Sequence, residues 1–172
     1  DNPISMLSVE GAKDVVIEMN SLSKSHNMAG WRMAMLASNA QFVEWVLKVK
    51  SNIDSGQFRP AMLAAVEALK CDSDWFDELN AVYARRRRVA ERIMDALGCS
   101  FDPRQRGLFL WGKIPDAAES SEKFADNILY NARVFITPGF IFGSNGERFI
   151  RISLCATEEK MEEALTRIKQ TI

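Results

Sequence analysis

A chain of 172 residues that is 47% hydrophobic and 26% charged has the composition of a globular protein, long enough for one domain or two small lobes. Its formal net charge of −1 gives no electrostatic reason to expect nucleic acid or a membrane surface as a partner, and no apolar run approaches the roughly 20 residues of a membrane-spanning helix. Cys71, Cys99 and Cys155 contain no CxxC pair and His26 is the single histidine, which argues against a disulfide framework or a metal site and for reduced thiols in a cytoplasmic protein.

The chain opens on DNPISM, a loop without an initiator methionine, and the expectation is the later part of a longer protein. DVVIEM, Asp14 to Met19, is apolar on both faces and predicts a strand covered on both sides. After SLSKSHNMAG, the stretch WRMAMLAS reads as a second strand. Asn39 then caps a helix whose apolar residues Phe42, Val43, Val46, Val49 and Ile53 recur at helical spacing. Gly56 stops it, and Pro60 sits where a helix begins.

Asp72, Ser73 and Asp74 offer caps to a long helix reaching Gly98, with Phe76, Leu79, Val82, Val89, Ile93 and Leu97 facing inward. Arg85 to Arg88 lie on it; four consecutive residues fan out by about 100° each, so they form no single basic face and read as solvated or paired with acids. A strand in GLFLWGKI, a helix over Ser121 to Asn131 and a short strand, RVFIT, come next. The turn-rich PGFIFGSNGE carries a hairpin signal at Asn145-Gly146, RFIRISLC reads as a strand, and Thr157 caps the last helix. Alternating strands and helices predict an α/β fold, with a lobe boundary near Tyr83.

Two segments carry chemistry. In SLSKSHNMAGWR, Ser21 and Ser23 precede Lys24, and Arg32 stands eight positions beyond the lysine, past Gly30. A lysine amine can form a Schiff base with an aldehyde cofactor, and hydroxyls with a guanidinium fork suit a phosphate. Taken alone, serines and a lysine in a turn fit a solvated loop better. Downstream, period two puts Ile150, Ile152 and Leu154 on one face of a strand and Phe149, Arg151 and Ser153 on the other. Arg151 therefore points away from the apolar layer, whether as an ordinary surface charge or as a bidentate clamp for a carboxylate.

SLSKSHNMAGWR resembles the lysine segment of the class I and II, fold-type I, aminotransferases, and FITPGFIFGSNGERFIRISLC resembles their C-terminal part. The resemblance spans essentially the whole chain but only the C-terminal portion of the family's length. It implies that residues 1–82 end a large cofactor-binding domain and 83–172 form most of a small C-terminal domain. It also implies pyridoxal 5'-phosphate on Lys24, anchored by Ser21, Ser23 and Arg32, with Arg151 holding the substrate's α-carboxylate. The parent would be a cytoplasmic homodimer moving an amino group between an amino acid and a 2-oxo acid, with no metal, nucleic acid or membrane.

The family's acid for the pyridine nitrogen precedes the lysine by a few tens of residues, whereas Asp1 and Asp14 lie too close to it. This chain alone is therefore expected to be inactive. A lyase or decarboxylase of the same fold, and an aminotransferase-like sensor domain of a transcription regulator, are the alternatives.

Overall fold

The computed structural model describes residues 4–171, so Asp1 lies outside them. The chain divides into two compact units, 1–72 and 73–172, each with its own buried cluster. The long helix read as crossing a boundary near Tyr83 is continuous and lies in the second unit.

The first unit is built on an antiparallel pair, β1 (Glu18–Ser21) with β2 (Ala34–Ala37), in which Ser21 faces Ala34 and Glu18 faces Ala37. The connection holds a single helical turn, α1 (Leu22–Ser25), and a 3-10 turn over Ala29–Trp31. Helix α2 (Ala40–Ile53) starts where expected, the Asn39 side chain accepting from the Phe42 amide at 2.9 Å. Helix α3 (Arg59–Ala68) begins with Pro60 in its first turn.

Two expectations for this unit fail. The strand starts at Glu18 instead of Asp14, because Ala12–Asp14 closes a 3-10 turn, and the strand is open, with Met19 76% exposed, as is Val15 before it at 77%. The apolar stripe of α2 is likewise formed but not buried. The buried cluster here is Leu22, Met28 and Ala65, tying α1 and its following loop to α3.

The second unit is a three-stranded antiparallel sheet in the order β3-β5-β4, from β3 (Phe109–Lys113), β4 (Thr137–Pro138) and β5 (Phe149–Ser153). Helices α4 (Ser73–Ala96), α5 (Ser121–Ala132) and α6 (Glu158–Thr171) supply the rest of its core. Ile150, Ile152 and Leu154 bury against Ile93, Met94, Met161 and Leu165, the face that period two assigns to the core. Cys99 joins this cluster, and burial pushes its thiol up to about 12.

The outer edge of β3 is closed locally. The Gln105 side-chain amide donates to the Trp111 carbonyl at 2.7 Å and accepts from its amide at 2.9 Å, while Ser100 bridges Lys113. The arginine run is dispersed, as its fan predicts. Arg85 pairs with Glu158, Arg86 donates to the Leu154 carbonyl, and Arg87 stands 3.8 Å from Glu91.

Two further expectations are corrected. Val134 to Ile136 is not strand; Arg133 ends α5 in the left-handed conformation and only Thr137–Pro138 pairs with β5. Asn145-Gly146 makes no hairpin turn but lies in a 3-10 turn over Ser144–Gly146, following another over Gly139–Phe142. The cause is a backbone contact: a Cβ on Gly146 would lie 2.1 Å from the Gly139 carbonyl oxygen, so the two glycines pin the loop's ends together.

Candidate active site

The connection from β1 to β2 gathers Ser21, Ser23, Lys24 and Arg32. It is closed at its base by the Leu22 amide donating to the Met33 carbonyl at 3.1 Å, just past the Ser21–Ala34 pair. The Leu22 carbonyl accepts from both His26 and Met28, which folds the loop back on itself. Buried Leu22 and Met28 anchor this fold on Ala65, and exposed Lys24 rides on it.

The Ser21 hydroxyl caps α1 by accepting from the Ser23 amide at 3.2 Å, which leaves its own proton to donate. Arg32 has φ +53 and ψ 44, a left-handed backbone uncommon for a residue with a Cβ, and its Nη1 donates to the Ala29 carbonyl at 2.9 Å. Such conformations persist where surrounding structure enforces them, often at functional positions. Two hydroxyls and a guanidinium on one short connection are a donor set suited to a phosphate, beside a lysine amine suited to an aldehyde.

Arg151 belongs to the second unit, on the central strand β5 with Trp111 and Thr137 as its cross-strand neighbours. Its guanidinium carbon lies 4.2 Å from the Phe109 ring centroid and 4.3 Å from that of Phe142. Trp111 stacks on Phe149 with centroids 5.5 Å apart and meets the Phe142 ring edge-on at 5.6 Å. Arg151 Nε is buried without a hydrogen-bond partner, and no acid pairs with this side chain among the described residues. Arg151 also borders a cavity of about 400 Å³ whose walls are largely apolar, with Lys160 as the other basic residue there.

The structure thus brings four of the expected residues onto one loop and places Arg151 on the aromatic face of the second unit's sheet. Sequence reasoning passed over Phe109 and Phe142. The signal available was period two, which puts Phe109 on the same face of β3 as Trp111; nothing in the linear pattern marks Phe142. Among the described residues no cluster of histidine, cysteine or acidic side chains could hold a metal ion, and no helix is long and apolar enough to cross a membrane.

A family model described as aminotransferase class I and II matches residues 2–168. The chain is 41% identical over 168 residues to an LL-diaminopimelate aminotransferase of Nitratidesulfovibrio vulgaris (strain DSM 19637 / Miyazaki F), covering 98% of this chain and 43% of that protein. Among solved structures it resembles substrate-bound BacF from Bacillus subtilis, with a TM-score of 0.89 and 36% identity over 99% of this chain and 44% of that one. It also resembles a probable N-succinyldiaminopimelate aminotransferase from Thermus thermophilus, with a TM-score of 0.83 and 32% identity over 96% of this chain and 44% of that one. The chain therefore spans less than half the length of the relatives it matches.

Proposed function

The chain belongs to the class I and II aminotransferase family, and from that premise we propose that its Lys24 loop binds pyridoxal 5'-phosphate while Arg151 takes the carboxylate of an amino acid or 2-oxo acid during amino-group transfer. The family is pyridoxal-phosphate-dependent. The observation that carries the reading is the closed connection of residues 22–33, which holds Lys24 and a left-handed Arg32 beside the capping hydroxyl of Ser21.

When bound, the cofactor supplies an aldehyde for amines and an electron sink for charge developing at the substrate's α-carbon. Ser21 and Ser23 donate hydroxyl hydrogens to its phosphate, and Arg32 adds charge-assisted hydrogen bonds. Lys24 Nζ would hold the cofactor until the substrate's amine displaces it, and the freed Lys24 amine would then take the proton from the α-carbon as general base. Arg151 grips the carboxylate in a bidentate pair, which fixes the orientation of the bond to be broken.

Relatives named for diaminopimelate chemistry support a substrate of amino-acid biosynthesis. The activity is assigned to a protein of the relatives' full length; residues 1–172 by themselves are expected to capture the cofactor without turnover. A cytoplasmic homodimer is part of the same reading. Its support is the free thiols of Cys71, Cys99 and Cys155 and the exposed apolar residues of α2 and α3, Val46, Leu47, Leu63 and Val66 among them.

Borohydride reduction after incubation with pyridoxal 5'-phosphate tests the assignment. Peptide mass mapping should find the pyridoxyl label concentrated on Lys24, and K24A should lose it. Equal labelling of all lysines, unchanged in K24A, would refute the proposal.

A further inference from the structure

We propose that Phe109 and Phe142 are positioning residues for Arg151, two rings that hold its guanidinium so that its hydrogen-bonding edge is ready for a carboxylate. The inference rests on the reading of Arg151 as the carboxylate clamp and adds how that clamp is kept in shape.

Three other arginines of this unit show the usual way of fixing a guanidinium, whereas Arg87, 3.8 Å from Glu91, has Nη1 and Nη2 buried without a hydrogen-bond partner among the described residues. Arg148 donates to the carbonyls of Pro115 and Ala118, Arg86 to that of Leu154, and Arg104 is paired with the Asp102 carboxylate. Each spends its N–H groups on the protein. Arg151 has no such partner among the described residues, and its Nε is buried unpaired, yet its guanidinium carbon sits within 4.3 Å of two ring centroids. An aromatic face attracts a cation through its quadrupole and uses none of its N–H groups. A carboxylate neighbour would compete with the ligand for the same donors; a phenyl ring does not. A long side chain ordered beforehand loses less freedom on binding.

Phe142 is the less expected of the two rings. It is 50% exposed and stands on a loop, so it adds little to the core. The loop is nevertheless firmly shaped: the Gly139–Gly146 backbone contact pins its ends, and Gly143 turns the chain at φ +112 directly after Phe142. The edge of Phe142 against Trp111, which faces Arg151 across β3 and β5, completes the enclosure.

The test follows the Arg151 Nε–Hε signal in ¹⁵N side-chain NMR spectra of the 172-residue chain, assigned by its loss in R151K, during titration with pyruvate or with uncharged pyruvamide. In the wild type this signal should carry a ring-current shift and move saturably with pyruvate only. F142L, of similar bulk but without a π face, should lose the Phe142 part of the ring-current shift, Phe109 keeping its own, and bind pyruvate about tenfold more weakly, the loss expected for one partly desolvated cation–π contact. F142Y should restore both. Backbone spectra should be unchanged in each variant. Wild-type affinity in F142L overturns the positioning role and leaves the clamp standing. Absence of a saturable, charge-dependent shift in the wild type removes the clamp, and this inference with it.

Discussion

A guanidinium that is satisfied and one that is held ready have opposite effects on stability. Arg148 fills the carbonyls of the 115–119 loop, so R148M leaves part-buried acceptors bare. It should cost about 2 kcal/mol in urea unfolding, the usual loss when a charged donor is removed from neutral acceptors. Arg151 carries a buried Nε with no partner among the described residues, so R151M should leave the urea midpoint unchanged or raise it while abolishing carboxylate binding. An equal loss of stability in both variants would show that Arg151 is merely structural. At this scale the sequence was legible where chemistry is local: the Ser21–Lys24 spacing, and the phase of Arg151 on its strand. It was silent on the left-handed backbone of Arg32 and on the ring of Phe142, both set by contacts that no periodicity encodes.

Elements with strong local instructions formed where those instructions lie. Asn39 caps α2 and Thr157 accepts from the Lys160 amide at the start of α6. Ser120, one residue before the expected start of its helix, caps α5 by accepting from the Lys123 amide. Elements that depend on a neighbour did not. The apolar stretch Val134–Ile136 looks like strand, but it leaves the left-handed cap at Arg133 and reaches β5 only at Thr137 and Pro138, and Pro138 has no N–H for a ladder. Asn145-Gly146 has hairpin chemistry, yet the approach of Gly139 overrides it. G146A should therefore push the loop open and cost about 1–3 kcal/mol, the range for forcing an extra carbon into a filled space. Urea denaturation measures that cost, and a wild-type midpoint would show that the glycine contact is not what shapes the loop.

For the molecule as a whole, burial is uneven. The second unit packs Met94, Leu110, Ile128, Ile150, Leu154 and Ile168 essentially out of solvent, whereas in the first unit the buried cluster is Leu22, Met28 and Ala65. Local opening is cheapest where few apolar contacts must break. Hydrogen exchange followed by mass spectrometry should find the slowest peptides around β5 and α4 and faster exchange across α2 and α3; uniform rates would contradict this gradient. The α/β class was legible from the alternation of elements, but the openness of the first unit was not, because apolar periodicity shows which face can be buried and not whether anything covers it. The Gln105 amide has a consequence for how such a molecule meets its own kind. By occupying the outward N–H and carbonyl of Trp111, a side chain stands in for a neighbouring strand, so the sheet cannot be extended on that flank by a strand borrowed from another molecule. Intermolecular sheet growth, the first step toward fibrils, is thereby denied one of its two directions.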